Sequence, residues 1–481
     1  MQKKFVTNLA FLLVLNLLVK PFWILGIDRS VQNAVGTEVY GQYFALFNFS
    51  FLLNIFLDIG ITNFNNKNIA QNNHLLHKHL SGIILLRVLL AAFYFLFSFF
   101  NGFVIGYERQ QLLMLCLMLL NQFLISFILY LRSNLAGLHL FKTDSVISVM
   151  DRFIMIVICG TLLWGNVSHV RFRIEWFVWA QTVAYIITAL LTLFLLIRRA
   201  QLKRLNWNPL FFLMILKKSY PFAILILLMT FYNRIDSVMI ERLLPDGDTQ
   251  AGIYAQAYRL LDASNMFAYL FAGLLLPIFS RMIKSKQNIH DLLRLAYCLL
   301  VIPALIAGIV CFVFRENIMT LLYHEHVVKD SFIIFGLLMI CFSAISTSYI
   351  YGTLLTANGN LKYLNLMALG GMLLNISLNL FLIPRYNALG AAISSLVTQF
   401  IMASVQVLLT YKIFRFKADF KFVSALGIFI VLAILLSLES YELKFQWVIN
   451  LMIAAAGCLT LAIILKLIQP KAIYRIIKYG E

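Results

Sequence analysis

The chain has 481 residues, 62% of them hydrophobic and only 12% charged, with a mean hydropathy of +0.88. A soluble domain carries about twice that share of charge, so a soluble enzyme or binding module is excluded. The net charge of +19 would suit nucleic acid, but Lys and Arg gather in the segments between apolar runs on one side of a membrane, and topology accounts for them.

Apolar runs of the roughly 20 residues needed to cross about 30 Å of hydrocarbon are expected at 6–27, 40–62, 80–105, 110–133, 144–165, 175–198 and 216–244. They continue at 251–280, 291–314, 331–357, 361–383, 388–413, 420–438 and 446–468. The first run resembles a signal peptide, with Lys3 and Lys4 before it. Lys20-Pro21 interrupts it, however, and it is expected to stay as the first helix. Broken helices often line transport sites, because freed backbone groups need a polar setting, so Lys20 is a candidate substrate-binding residue. The second run opens on Val39-Tyr40-Gly41-Gln42-Tyr43 and closes on Asp58-Ile59-Gly60-Ile61. Arg87 and Arg152 lie near the inner ends of their spans, within snorkelling range, and read as interfacial or structural. Asp151 adjoins Arg152, and Asp58 is placed to pair with one of these arginines.

The seventh and eighth runs are the most informative. The seventh carries Tyr232-Asn233-Arg234-Ile235-Asp236; the eighth opens with Ala251-Gly252-Ile253-Tyr254 and carries Arg259 and Asp262. An ionised group deep in hydrocarbon costs at least about 2.5–3.5 kcal/mol, so it normally faces a partner or a water-filled path. At about 1.5 Å per residue, Arg234, Arg259 and Asp262 lie roughly 10–15 Å below the outer ends of their helices. Arg234 and Arg259 are therefore candidates for an anion site, with Asp236 and Asp262 balancing or coupling them and Asp58 doing so in the first half. The plainer alternative is a structural salt-bridge network, since Arg259 and Asp262 are (i, i+3) neighbours.

The chain is expected to double itself: Val39-Tyr40-Gly41-Gln42-Tyr43 opens the second run as Ala251-Gly252-Ile253-Tyr254-Ala255 opens the eighth, and Arg132 to Gly137 follows the fourth as Leu354 to Gly359 follows the tenth. The expected organisation is a six-helix lobe over 1–205, a second over 206–415, and two further helices with a cytoplasmic tail over 416–481. Pro384 is expected to end one helix, after which Gly390, Ala391, Ser394 and Ser395 allow close packing. Asn16, Asn54, Asn121, Gln122, Asn375 and Asn379 suit sugar hydroxyls but serve equally as packing glue. All six cysteines lie in apolar runs, so neither disulfides nor a metal is expected; His74, His77 and His79 do not read as a metal site. No Walker signature, catalytic triad or other catalytic motif is present, and neither enzyme activity nor a cofactor is expected.

Gly41-Gln42-Tyr43, Asp58 to Ile61, Arg132-Ser133 with Ala136-Gly137, Arg234-Ile235-Asp236, Gly252-Ile253-Tyr254 with Ala257-Tyr258, and Asn379 through Gly390-Ala391-Ala392 together resemble the polysaccharide biosynthesis or oligosaccharide flippase family. That family belongs to the multidrug/oligosaccharidyl-lipid/polysaccharide exporter superfamily. The resemblance implies an all-α membrane protein of about fourteen helices, with two six-helix lobes around a central cavity lined by helices 1, 2, 7 and 8. It implies a flippase that moves undecaprenyl-pyrophosphate-linked oligosaccharide across the cytoplasmic membrane for O-antigen, capsule or exopolysaccharide synthesis. The implied partners are that lipid-linked substrate, membrane lipids and polysaccharide polymerase or assembly proteins. Both termini are expected to be cytoplasmic. Arginine suits such a substrate because its planar fork grips phosphate oxygens bidentately. The rival reading is a cation-coupled multidrug exporter of the same superfamily, which would want carboxylates in its first lobe.

Overall fold

In a computed structural model the chain is described at residues 14–16, 18–62, 65, 75–138, 140–165, 172–200, 207–324, 328–417 and 419–468, and these are helical with no strand among them. It divides into two compact units, Met1–Gly252 and Ile253–Glu481. The expected readings of Lys3, Lys4, His74 and the tail from 469 lie outside the described residues, as do the side chains of His77 and His79.

The first unit begins with a helix that passes through Pro21 without stopping. Over Trp23–Asp28 it widens into a π-helical stretch, then resumes as α1 (Arg29–Val35). The expected proline break is thus a local widening, and the helix outlasts the expected end at residue 27. Gly36, at φ 87°, reverses the chain directly into α2 (Thr37–Leu52), a conformation that costs glycine nothing. α2 does not run to residue 62 as expected. It gives way to a 3-10 turn at Asn54–Leu57 and a bend through Ile59 (φ 44°) and Gly60 (φ 77°). Long helices follow: α3 (Leu75–Ile105), α4 (Arg109–Gly137), α5 (Phe141–Trp164), α6 (Ile174–Ala200) and α7 (Pro209–Leu243). α7 starts where its sequence says it should, since the Asn208 side chain accepts from the Phe211 N–H and Pro209 occupies the first turn. An interior of Leu80, Ile83, Leu131, Ile147, Leu196 and Ile215 ties α3 to α7.

α8 (Gly247–Lys284) starts in the first unit. There the two glycines of the sequence repeat meet. A Cβ on Gly41 would lie 1.8 Å from the Asp248 carbonyl oxygen, and one on Gly252 would lie 1.9 Å from that of Thr37. Each glycine thus faces the residue four positions before the other. The contact is reciprocal, and only glycine lets the backbones approach so closely. Gln32 closes the contact by donating to the Gly252 carbonyl at 3.2 Å.

In the second unit, α9 (His290–Val313) leads to the short α10 (Arg315–Tyr323), then to α11 (Lys329–Ala357). Gly308 brings α9 within 2.9 Å, measured from an added Cβ, of the Met339 carbonyl on α11. α12 (Leu361–Phe414) is two helices joined at Asn387, whose φ of 50° breaks the helix; the stop comes three residues after Pro384, where it was expected. α13 (Phe420–Tyr441) and α14 (Trp447–Ile464) pack on α9 through Cys298, Ile302, Phe429, Ala433, Ala454 and Cys458. Eleven described helices are long and apolar enough to span a membrane. The first two expected spans are interrupted helices, and 361–383 and 388–413 are the two helices of α12, which count as one long element among the eleven. The protein is a multi-pass, all-α membrane protein.

Candidate functional site

The first unit gathers cations and aromatic rings around the widened helix. In a π turn the side chains shift in register, and such turns recur at functional sites. Here the turn presents Trp23 to the Arg152 guanidinium, 5.6 Å from the ring centroid. Arg152, on α5, donates to the Tyr185 hydroxyl at 2.8 Å and sits 5.7 Å from that ring. Asp151 lies 3.9 Å from the Arg152 Nε. Lys20, three residues before Trp23, shares this field, with Arg152, Arg132 and Asp151 as its charged neighbours. Arg132 is engaged by Asp144 at 2.7 Å. The cluster therefore sets Lys20 and Arg152 against one adjacent carboxylate, and all three are only partly buried. A net positive, partly open site within membrane helices suits an anion.

An aromatic wall continues from this cluster. Trp23 stacks on Phe177 with centroids 5.6 Å apart and planes 4° off parallel, and Phe177 meets Tyr43 edge-on at 5.4 Å. Gln181 donates to the Tyr43 hydroxyl at 3.0 Å. Tyr40 in turn donates to Asp28 at 2.8 Å, and Asp28 is only 3% exposed. Asp28 was missed in the sequence because the first span was expected to end at residue 27, which placed Asp28-Arg29 in a loop.

The other expected residues are placed as follows. Arg234, on α7, faces α2, where it donates to the Asn48 side chain at 3.5 Å and covers the Phe51 ring at 5.3 Å. Asp236, two residues on, is 1% exposed. Asp58 is bonded to Arg87 and Thr62 in the bend that interrupts the second span. Arg87 also donates to the Ser126 carbonyl at 3.0 Å and to Thr62 Oγ1 at 2.6 Å, with its charge 4.7 Å from the Tyr130 centroid. Arg259 and Asp262 belong to the second unit and stand 3.8 Å apart, as their (i, i+3) spacing allows. Also in that unit, Asn379 donates to Asn375 at 3.2 Å, both fully buried. Asn16 donates to Ser148 at 2.9 Å, and Asn121 to the Val178 carbonyl at 3.5 Å, so both act as packing groups. Among the described residues no cluster of His, Cys, Asp and Glu is arranged to hold a metal ion.

The family model for polysaccharide biosynthesis proteins matches residues 5–283. No curated protein matches the chain. Among solved structures, the lipid II flippase MurJ in an inward closed conformation superimposes with a TM-score of 0.72 at 14% identity, over 95% of this chain and 98% of MurJ. An inward-facing multidrug resistance MATE family transporter of the MOP superfamily gives a TM-score of 0.64 at 12% identity, over 82% of this chain and 94% of that one. A mutant of the Vibrio cholerae MATE transporter VcmN gives 0.58 at 16%, over 85% of this chain and 98% of that one. At such identities the likeness shows the fold, which is the fold of these transporters.

Proposed function

The chain belongs to the polysaccharide biosynthesis protein family, and from that premise we propose that it is a flippase for a lipid-linked oligosaccharide, of the undecaprenyl-pyrophosphate class, in the cytoplasmic membrane. The head group is carried outward by alternating access for surface polysaccharide assembly, with both termini cytoplasmic. The observation that carries this reading is Arg152, held beside Trp23 and Tyr185 with Asp151 3.9 Å from its Nε and with the Lys20 charge in the same field. A pyrophosphate brings at least two negative charges into a medium of low dielectric, where unpaired charge is costly. Two cations able to donate several hydrogen bonds compensate it, and the buried rings hold the Arg152 guanidinium in place. Arg234 in the first unit and Arg259 in the second are further candidates for contact with the head group. Asp58, Asp236 and Asp262 are proposed to balance or couple those charges, Asp58 through Arg87. The fold's relatives include a lipid II flippase, which supports a lipid-linked cargo.

The test is glycan export by cells carrying Lys20→Ala, Arg152→Ala or Arg234→Ala at equal membrane levels of protein. A hydrogen bond to a charged group contributes about 1.5–3 kcal/mol, so each alanine variant should export roughly tenfold less or worse. Wild-type export from all three variants would overturn the anion-site reading. One observation favours the second reading, a cation-coupled exporter: Asp28 is a buried carboxylate in the first unit, hydrogen-bonded by Tyr40. On that reading Asp28→Asn abolishes drug efflux and the lipid-linked sugar pool stays normal.

A further inference from the structure

The second unit carries an open cavity of about 470 Å³ lined by Glu316, Asn317, Thr320, Leu321, His324, Tyr441 and Trp447. It lies at the end of the unit where α10 follows α9 and where α13 turns into α14. On the proposed topology this is the outer face. Volumes of roughly 300–1,000 Å³ suit small ligands.

The lining has a definite chemistry. Tyr441 and Trp447 stand on either side of the α13–α14 turn and supply two flat rings. Phe314, fully buried, meets Tyr441 edge-on at 5.3 Å and fixes it from beneath. Across from them, α10 presents Glu316, Asn317 and Thr320 within a single helical turn, and its chain then reverses at His324 (φ 47°). Glu316, Thr320 and His324 add exposed donors and acceptors. Among the described residues no Arg or Lys lines the cavity, so the lining does not suit phosphate. An interfacial aromatic belt would account for Trp447 and Tyr441 alone. It would not account for the row of polar groups on α10 that faces the same space.

Flat apolar rings opposite a row of hydroxyl-matching groups, with no cation, match one ligand class: a pyranose, whose C–H face is apolar and whose rim is all hydroxyl. We infer that this groove is a second, outer sugar-binding site that holds a neutral sugar ring of the exported glycan. The inference rests on the flippase reading for the origin of its ligand, but the groove's affinity for sugar does not depend on transport.

The probe is the lipid-free oligosaccharide released by mild acid from the cell's polyprenyl-linked pool, measured on the purified full chain by saturation-transfer NMR. Saturable binding is expected in the wild type. Trp447→Ala and Asn317→Ala should weaken it at least fivefold, whereas Trp447→Phe, which keeps a ring, should leave it within twofold. No binding by the wild type, or equal binding by both alanine variants at equal folded protein, overturns the groove. So does a signal displaced by phosphatidylglycerol vesicles and not by excess sugar, which would assign the groove to a lipid head group. Sugar binding here with no defect in lipid-linked sugar flipping on gene deletion would separate failure of the flippase reading from failure of this one.

Discussion

Arg87 and Asp58 show how a charge can be held inside a membrane protein by the groups packed around it. The arginine is fully buried, and Asp58, Thr62, Ser126 and the face of Tyr130 share its donors and its charge. The pair closes the bend where α2 gives out, so it fixes backbone geometry as well as charge. Removing one member of a buried pair leaves the other uncompensated, at a cost of about 3 kcal/mol or more. Arg87→Ala should therefore lower the thermal midpoint of the detergent-solubilised protein by several degrees, and replacing Asp58 as well should restore part of the loss. An unchanged midpoint in Arg87→Ala would show that the pair does not hold the bend. Arg152 and Lys20 are the opposite case: Arg152 is held by rings and one adjacent carboxylate, and the Lys20 charge in the same field leaves positive charge to spare. The sequence pointed to Lys20 through its proline and to Asp58 as a partner for an arginine. It placed Arg152 among the structural residues, because depth along a helix says nothing about which neighbours converge on it.

At the scale of elements, hydropathy reports how much chain can lie in hydrocarbon, and for α3 to α9 that was enough to locate the helices. It fails where a helix leaves the membrane's apolar pattern without ending, as beyond Ile27, where polar Asp28, Arg29, Ser30, Gln32 and Asn33 continue the helix to Val35. It fails again where an apolar run bends, as at Ile59-Gly60, since apolar composition carries no record of φ. The repeat of Gly41 and Gly252 was legible as letters, yet its meaning was not, because only coordinates show each glycine set against the other helix's carbonyl. The contact yields its own prediction. With a Cβ the backbones of α2 and the first turns of α8 must separate by an ångström or more, because the added atom would sit 1.9 Å from an oxygen. Spin labels on Glu38→Cys and Gln250→Cys should report a longer or broader distance distribution in Gly252→Ala, with export reduced. An unchanged distribution and full export would mean that the close approach is incidental.

For the whole molecule, composition already decided the class: a chain this apolar, with its Lys and Arg distributed between spans, belongs in a bilayer. The fold bears this out, and the family and the flippase and transporter relatives agree with it. What the substrate is lay beyond the sequence, because specificity rests on a few polar and aromatic side chains whose convergence depends on three-dimensional packing. The most direct test is to delete the gene and follow the lipid-linked sugar on the inner leaflet. The account predicts that it accumulates, that the wild-type chain clears it, and that a chain with both Lys20→Ala and Arg152→Ala does not, at equal abundance in the membrane. An unchanged lipid pool and unchanged surface glycan in the deleted strain would contradict the flippase reading outright.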